Sequence, residues 1–275
     1  MLLLIISVVN TFLQHMKKIL LLLVILFISS QARSQSLFSP HNINHGVGIY
    51  GNFTINSHSS NFQGLPGVPN CCEQFSTATG NGLSVGAFYE LPLDPYLSLQ
   101  FKFGLFNLSA KYSVEEYEPL STDEIATIDH VIDTDINTVG FDILAKYSLF
   151  GSLNAYGGFN ISHPAFADFR QVENLTKPTY GTFENGTRKR NQVSGKIENV
   201  SPLQFSLVFG ISFDIQVTRD KSYILSPEFY YVYGLTNLVD NGDKWKINSL
   251  RFGLSFKYGF LGGWDKYDTP LGGEN

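Results

Sequence analysis

The sequence predicts an all-β protein, an eight-stranded antiparallel up-and-down transmembrane β-barrel. Three observations predict it: apolar residues recur at every second position in eight stretches, the connections alternate between short and long, and charged residues are scarce at 16% while aromatic residues reach 14%. A mean hydropathy of -0.00 excludes a bundle of apolar transmembrane helices but suits strands with one apolar and one polar face. The net charge of -5 gives no reason to expect nucleic acid as a partner.

The N-terminus is predicted to be a targeting segment. A basic start at 16–18 precedes an unbroken apolar stretch at 19–28, and small residues at 32 and 34 give a cleavage pattern before Gln35. The expected organisation is a signal peptide at 1–34 with Met16 as a candidate initiator, an N-terminal periplasmic segment at 35–44, an outer-membrane β-barrel at 45–260, and a periplasmic C-terminal tail at 261–275.

The period-two pattern is clearest between Leu203 and Val217. Every second residue there is apolar, and the intervening residues are small or polar apart from Val208. This alternation is typical of a strand with one apolar and one polar face. Seven further stretches repeat it: Val47–Ile55, Leu83–Leu91, Leu97–Leu105, Val139–Leu149, Leu153–Ile161, Leu225–Leu235 and Leu250–Phe260. Each has about the ten residues that a tilted strand needs to cross a bilayer.

The connections between these stretches alternate in length. The short turns are Pro92–Pro95, Gly151–Ser152 and Thr218–Lys221, all rich in turn-forming residues. The connections that alternate with these turns, and so lie at the other rim, are Ser57–Gly80, Ser113–Asp135, Pro164–Pro202 and the shorter Val239–Asp243. Short periplasmic turns and long outer loops are typical of outer-membrane barrels. In the second long loop, Ser121 and Glu124 have the spacing of a capping box, which predicts a short helix.

The distribution of charge predicts which face of each strand meets lipid. The apolar faces contain no Asp, Glu, Lys or Arg, and a Lys or Arg facing lipid at mid-membrane costs about 2–4 kcal/mol. The charged faces are therefore expected to line the lumen. Aromatic girdles are expected at the periplasmic rim from Tyr89, Tyr147 and Tyr258, and at the outer rim from Tyr231, Tyr233 and Trp245.

The inward positions carry equal numbers of acids and bases. They are Glu90, Asp142, Asp214 and Glu228 against Lys102, Lys146, Arg251 and Lys257. Eight strands enclose an interior about wide enough for side chains to fill, and a buried charge without a partner is prohibitively unfavourable. We therefore expect a lumenal ion-pair network that blocks conduction; the alternative is a narrow charged channel.

Two of the long loops carry opposite charges. The loop at 113–135 is acidic, whereas Arg188, Lys189 and Arg190 form a basic run within 164–202 and are a candidate interaction site. The loops are expected either to attract each other across the outer mouth, or to bind lipopolysaccharide through the basic loop and divalent cations through the acidic one. Plain solvated loops are the third interpretation.

No catalytic, cofactor or metal site is predicted. His58, His130 and His163 fall at or beyond the outer rim, and no Gly-x-Ser-x-Gly, His-Glu-x-x-His or Ser/His/Asp spacing is present. Cys71 and Cys72 are adjacent, so they cannot join distant parts of a fold. A zinc site combining them with His58 matches no standard ligand spacing.

Three segments carry a family resemblance. His45–Gly51, Val85–Leu93 and Leu250–Phe256 resemble the small outer-membrane β-barrel proteins related to OmpA and OmpX, including PorT-like members. The resemblance spans Asn44–Phe260 and implies an outer-membrane location in a Gram-negative envelope. It departs from the family pattern in two ways, because 261–275 follows the closing aromatic and no peptidoglycan-binding domain follows the barrel.

The expected function is structural or interactive, with no enzymatic activity. The barrel would display its outer loops for adhesion, envelope integrity or docking to secretion machinery, as a monomer in contact with outer-membrane lipid and lipopolysaccharide. A small channel is the first alternative. A soluble lipocalin-like binding barrel is the second, and it would have apolar residues inside and charged residues outside.

Overall fold

A computed structural model describes residues 44–64, 74–121, 124–218, 222–240 and 244–261, all within one structural unit, Pro40–Asn275. Among these residues there are eleven strands: β1 Asn44–Phe62, β2 Phe75–Pro92, β3 Leu97–Asn107, β4 Ala110–Ser121, β5 Glu124–Phe150, β6 Leu153–Lys177, β7 Lys189–Lys196, β8 Gln204–Phe213, β9 Ile215–Gln216, β10 Tyr223–Gly234 and β11 Trp245–Leu261. No helix in the described part of the chain is long and apolar enough to cross a membrane.

Eight of these strands close into a ring. Their order around the ring is β1, β2, β3, β5, β6, β8, β10 and β11, and each is antiparallel to its neighbours. The last strand returns to the first through a continuous register from Asn44↔Leu261 to Ser60↔Trp245. Strands that follow one another in the ring also follow one another along the chain, so the predicted eight-stranded up-and-down barrel is confirmed.

The connections at the outer rim contain more β-structure than the sequence suggested. β1 continues to Phe62 and β2 begins at Phe75, so only half of the predicted first loop lies between them. The short helix predicted from Ser121 and Glu124 is wrong, because β4 ends and β5 begins there and the two pair as a hairpin. Pairing of β5 with strands on both sides outweighs the local capping signal.

The start of β5 and the end of β6 extend well beyond the ring on the outer side. β4 pairs with the upper part of β5, and β7 pairs with the upper part of β6, which gives an antiparallel sheet in the order β4–β5–β6–β7. We call this four-stranded structure the outer sheet. Its β5 portion, 124–136, corresponds to about 40 Å of extended chain at about 3.3 Å per residue. The described parts of the loops predicted at 113–135 and 164–202 are therefore largely paired β-structure rather than solvated coil.

The two faces of the ring differ as predicted. Phe209 and Ile211 point outward and are 51% and 50% exposed, whereas the inward Lys102 and Arg251 are 1% and 4% exposed. This sidedness is opposite to that of a lipocalin-like carrier, so that alternative is wrong. We define the spanning segments as the parts of the ring strands that carry the outward apolar band, namely 46–56, 82–92, 97–107, 138–149, 153–163, 204–217, 223–235 and 249–260.

Aromatic rings fill the lumen against glycine. Tyr50 of β1 packs over Gly86 and Gly104, and a Cβ added at Gly104 would lie 2.2 Å from the Tyr50 hydroxyl. A buried lumenal cluster adds Leu144, Tyr156, Val208, Tyr230 and Val232. The small residues on the polar face of these strands thus make room for large side chains from other strands inside the ring.

Most of the predicted girdle tyrosines lie on the outer surface. Tyr147 and Tyr258 are exposed toward the short-turn rim, and Tyr231 and Tyr233 toward the other. The prediction for Trp245 is wrong, because its side chain is only 1% exposed. The position is an even number of residues from the inward Arg251, so alternation along β11 turns the indole inward rather than toward lipid.

Candidate functional site

The lumenal network contains a four-residue cluster toward the short-turn rim. Lys146 Nζ lies 2.9 Å from Asp214 Oδ2 and 3.3 Å from Glu90 Oε2. Glu90 is shared, because its Oε1 lies 2.8 Å from Lys257 Nζ. Ser226 donates a further hydrogen bond of 2.7 Å to Asp214. Strands from opposite sides of the barrel are therefore joined through charge-assisted hydrogen bonds.

A second pair crosses the middle of the lumen. Lys102 Nζ lies 2.7 Å from Glu228 Oε1, and both side chains are 1% exposed. The Tyr230 hydroxyl donates to the other carboxylate oxygen at 3.1 Å. The ammonium also lies 4.2 Å from the ring centroid of Tyr50 and 4.6 Å from that of Tyr230, where the negative ring faces stabilise it. The ammonium is thus enclosed by a carboxylate, a hydroxyl and two aromatic rings.

The third pair lies closest to the outer mouth. Arg251 NH1 is 3.3 Å from Asp142 Oδ2, and Asn160 donates to Asp142 Oδ1 at 2.6 Å. The guanidinium stacks 4.3 Å from the ring centroid of Phe106, and its Nε has no hydrogen-bond partner among the described residues. A cavity of about 20 Å³ beside it has room for about one water molecule.

All eight predicted lumenal residues lie inside the ring, and each takes part in at least one of these ion pairs. The alternation of the sequence indicates which residues face inward, but it does not indicate which acid meets which base. The pairing couples charges of opposite sign in a buried environment, which is the condition under which such charges are tolerated.

A hydrophobic cluster, which the sequence analysis missed, lies above the network on the outer side of the barrel. The rings of Phe62 and Trp245 lie 4.9 Å apart, and Tyr112 meets Phe62 edge to face at 5.2 Å. We call this group the cap cluster; its buried members are Phe62, Phe75, Ala78, Ala110, Tyr112, Ile132, Ile136, Phe169, Ile197, Leu238, Val239 and Trp245. Its residues come from both sides of the mouth, so it spans the opening.

His58 is a polar bridge within the cap cluster, above the spanning segment of β1. Its Nε2 lies 2.8 Å from the Leu108 carbonyl oxygen, and its Nδ1 lies 3.1 Å from Trp245 Nε1. A carbonyl only accepts and an indole N–H only donates, so the neutral imidazole fits both partners. Burial lowers the pKa of His58 to about 4, and the bond to Leu108 opposes this shift only partly.

The concave face of the outer sheet carries a charged cluster that joins all four of its strands. His130 Nε2 lies 2.7 Å from Glu116 Oε2, and His130 Nδ1 lies 3.6 Å from Glu173 Oε1. Arg190 Nε lies 2.6 Å from Glu173 Oε2, and Arg190 NH2 lies 3.1 Å from Glu118 Oε1. We call these five residues the clasp. His130 and Glu173 have fully buried side chains.

The predicted basic run is largely committed to contacts within the chain. Arg188 donates to the backbone carbonyls of Leu175 at 2.6 Å and Pro178 at 2.8 Å, and Arg190 belongs to the clasp. Lys189 is exposed. Arg190 therefore connects the basic loop to Glu118 of the acidic loop, and two of the three cations are not displayed as a free basic patch.

The third candidate histidine contacts the backbone. His163 Nδ1 lies 2.7 Å from the Pro202 carbonyl oxygen. In the part of the chain that the structure describes, no group of three or more His, Cys, Asp or Glu residues is arranged to hold a metal ion. The predictions for Cys71, Cys72 and the targeting segment lie outside the described residues.

The closed antiparallel ring, its apolar exterior and its charged interior together define the class of protein. Only helices and closed barrels satisfy all their backbone polar groups inside a bilayer, and this arrangement of faces is that of outer-membrane barrels. The chain is a transmembrane β-barrel of the outer-membrane type.

Comparisons with known proteins give distant structural matches. No protein-family model matches the sequence, and no curated protein matches it either. The crystal structure of Neisserial surface protein A aligns at a TM-score of 0.38 and 14% identity over 78% of this chain and 97% of that one. The attachment invasion locus protein Ail of Yersinia pestis, in complex with the heparin analogue sucrose octasulfate, aligns at a TM-score of 0.35 and 11% identity over 78% of this chain and 99% of that one. The outer membrane protease OmpT of Escherichia coli aligns at a TM-score of 0.32 and 9% identity over 82% of this chain and 100% of that one. At these scores, the class of the chain rests on its own geometry.

Proposed function

We propose that this protein is a closed membrane anchor that displays the outer sheet as an interaction surface on the cell. The observation that supports the proposal is the contrast between a lumen that contains paired charges and packed apolar side chains and a β-sheet that extends beyond the spanning segments. The role would be adhesion, envelope integrity or docking to secretion machinery, and it would not involve catalysis.

The two barriers have different chemistry. The lumenal network fills the spanning region with paired charges and aromatic rings, and the cap cluster fills the outer mouth with apolar side chains. A solute would have to separate buried ion pairs and also displace apolar packing. Both steps are energetically costly, which supports a closed barrel over the channel alternative.

The convex face of the outer sheet supplies the surface. Across it, Asp133 is paired in register with Lys111 on one side and Arg170 on the other, so its charges alternate in sign. Near the tip of the β4–β5 hairpin, Tyr117 and Ile125 are 64% and 63% exposed. Aromatic side chains inside a polar rim are typical of binding surfaces. Next to the membrane, the basic side chains of this face would contact lipopolysaccharide phosphates.

Photo-crosslinking in intact cells tests the proposal. A photoreactive amino acid at Tyr117 should give discrete adducts with envelope or surface components. The matched control is Tyr147, which is 50% exposed but lies in a spanning segment, and it should react with lipid alone. If Tyr117, Arg170 and Lys196 all fail to give adducts above the Tyr147 control, the display function is wrong.

Planar-bilayer conductance tests the closed lumen separately. The folded protein should show no steady single-channel current. A sustained current from the unmodified protein would favour the small-channel alternative, whatever the crosslinking shows.

A further inference from the structure

We propose that the convex face of the outer sheet binds a second copy of this chain, forming a weak two-fold symmetric pair in the membrane. The pairing names a partner for the surface proposed above, and it rests on that function. It replaces the monomer expected from the sequence by a reversible dimer. Its test detects contact between two copies, so that pairing and display can fail independently.

The charges of the convex face are sorted by strand. Over the four rows from Asp129 to Asp135, the register places seven charged residues on this face: Asp129, Asp133 and Asp135 on β5, Asp168 and Arg170 on β6, and Lys189 and Lys196 on β7. All are exposed except the half-buried Asp129. The net charge therefore runs from −3 on β5 through zero on β6 to +2 on β7.

The bases of this face are not committed to contacts within the described chain. The salt bridges between described residues lie in the lumen and in the clasp, and none of them includes Arg170, Lys189 or Lys196. Arg190 shows the contrast, because it points to the concave face and meets two carboxylates there. The convex face thus presents charges that a partner can pair with.

Membrane symmetry makes this face complementary to itself. Two copies in one membrane share the same orientation, so a two-fold axis that relates them runs along the membrane normal. Two faces related by such an axis meet with left and right exchanged. With the axis over β6, the acidic β5 of each copy lies opposite the basic β7 of the other, and β6 lies opposite itself with one acid and one base. Opposite charges across an interface favour encounter and fix the register of the partners.

The size of the face indicates a weak pair. The parts of β5, β6 and β7 in the outer sheet cover about 500 Å² per copy, at about 3.3 Å per residue and about 4.8 Å between strands. A pair would bury at most about 1,000 Å² in total, which is where specific interfaces begin. Because the face is convex, its edges are bridged by long side chains only. We therefore expect a reversible dimer, favoured because both copies are already oriented by the membrane.

An anionic surface fits this face less well than a second copy does. Phosphate groups would attract Lys189 and Lys196, but they would be repelled by the three carboxylates of β5 on the same face. A second copy satisfies both signs at once. Lipopolysaccharide and other envelope components are therefore the competing outcomes of the test.

Photo-crosslinking between two tagged copies tests the pairing. A photoreactive amino acid replaces Ser194, an exposed residue of β7 in register with Arg170, in full-length protein made with two different affinity tags in the same cells. Irradiation should give an adduct that carries both tags, and peptide mapping should place the crosslink on β5 between Asp129 and Asp135. The same amino acid at Tyr96, which is 59% exposed at the short-turn rim, should give no such adduct.

Charge-reversed variants test the complementarity. Lys189→Glu with Lys196→Glu makes β7 acidic, and Asp133→Lys with Asp135→Lys makes β5 basic. Each variant alone should lose the two-tag adduct on the order of tenfold, the scale expected when two exposed attractions become repulsions. The two variants together should recover it to within about twofold, because acidic and basic strands again lie opposite each other. The matched control, Lys111→Glu with Lys244→Glu, makes the same change in net charge away from β5, β6 and β7 and should keep the adduct.

Heat-modifiable gel mobility verifies that each variant is folded. Should the β5 variant fail to fold, the β7 variant and its control decide the question, since both replace exposed lysines. Adducts from Ser194 that contain lipopolysaccharide or other envelope proteins but never two copies would overturn the pairing and leave the display function standing. An equal loss of adduct in the β7 variant and in the Lys111→Glu, Lys244→Glu control would also overturn it.

Discussion

Replacing Lys102 by Met should strongly destabilise the barrel, because it removes one member of a buried ion pair. Both side chains of the Lys102–Glu228 pair are 1% exposed, and breaking such a pair from one side costs about 3–5 kcal/mol. The Tyr230 hydroxyl still donates to Glu228 at 3.1 Å, a bond worth about 1 kcal/mol. The free energy of unfolding should therefore fall by about 3 kcal/mol, near the lower end of the range.

The second half of this prediction is recovery in the double variant. Lys102→Met with Glu228→Gln removes both charges, and it should return the free energy of unfolding to within about 1 kcal/mol of the parent, because uncharged replacements of buried pairs are often neutral. Equilibrium urea unfolding in lipid vesicles, followed by heat-modifiable gel mobility, measures both values. A loss below about 1 kcal/mol for Lys102→Met, the magnitude of an exposed pair, would refute the sealed lumen.

Three further changes test other parts of the structure by the same unfolding assay. Gly104→Ala should lower the free energy of unfolding by about 1–3 kcal/mol, because the added Cβ would lie 2.2 Å from the Tyr50 hydroxyl. The control Gly157→Ala, where nothing lies within 4 Å of the added Cβ, should change the free energy of unfolding by less than about 0.5 kcal/mol. Equal effects of the two substitutions would contradict the packing of Tyr50 over Gly104. Acidification should destabilise the protein at the cap cluster, because the pKa of His58 falls from 6.5 to about 4 on folding. The contribution of His58 to the free energy of unfolding is therefore complete above pH 6.5 and is lost toward pH 4, by up to about 3 kcal/mol. His58→Gln should remove that dependence, and an unchanged pH profile in this variant would argue against it. Phe209→Lys on the lipid face should lower the free energy of unfolding by about 2–4 kcal/mol, whereas Phe209→Leu should lower it much less. Similar losses for the two variants would place Phe209 away from lipid.

The ring was predictable because a bilayer enforces a strict rule on every strand that crosses it. Lipid contacts one face along the whole crossing, so apolar residues such as Leu207, Phe209 and Ile211 repeat at intervals of two. Charged side chains such as Lys102 and Arg251 are confined to the other face. The same rule identifies Trp245 as inward, provided that its position is counted from Arg251 rather than judged from the general preference of aromatic residues for the membrane interface.

The outer sheet was not predictable from the same pattern. Above the membrane both faces of a strand meet polar surroundings or other protein, so 113–135 alternates weakly and its capping signal competes with pairing. The contacts within the sheet also join distant parts of the chain: Arg190 meets Glu118 across 72 residues. Which charges pair depends on how the strands are arranged in three dimensions, and composition carries no record of it.

The lumenal partners were hidden for the same reason. Lys102 and Glu228 are 126 residues apart, and four acids facing four bases allow many pairings. The cap cluster was missed because Phe62 and Phe75 lie in the predicted first loop and Tyr112 lies outside the predicted strands. The alternation of Tyr112 and Val114 with polar residues at 111–115 was the available signal for a strand beyond the membrane.

Solid-state NMR of the unmodified protein in lipid bilayers would test most directly which side of each strand meets the acyl chains. Magnetisation transferred from acyl-chain protons should reach the side chains of Phe205, Phe209 and Phe252, and it should not reach Lys102 or Arg251. Strong transfer from lipid to the two cations, or phenylalanine rings that contact each other across the interior and receive none, would contradict the transmembrane barrel.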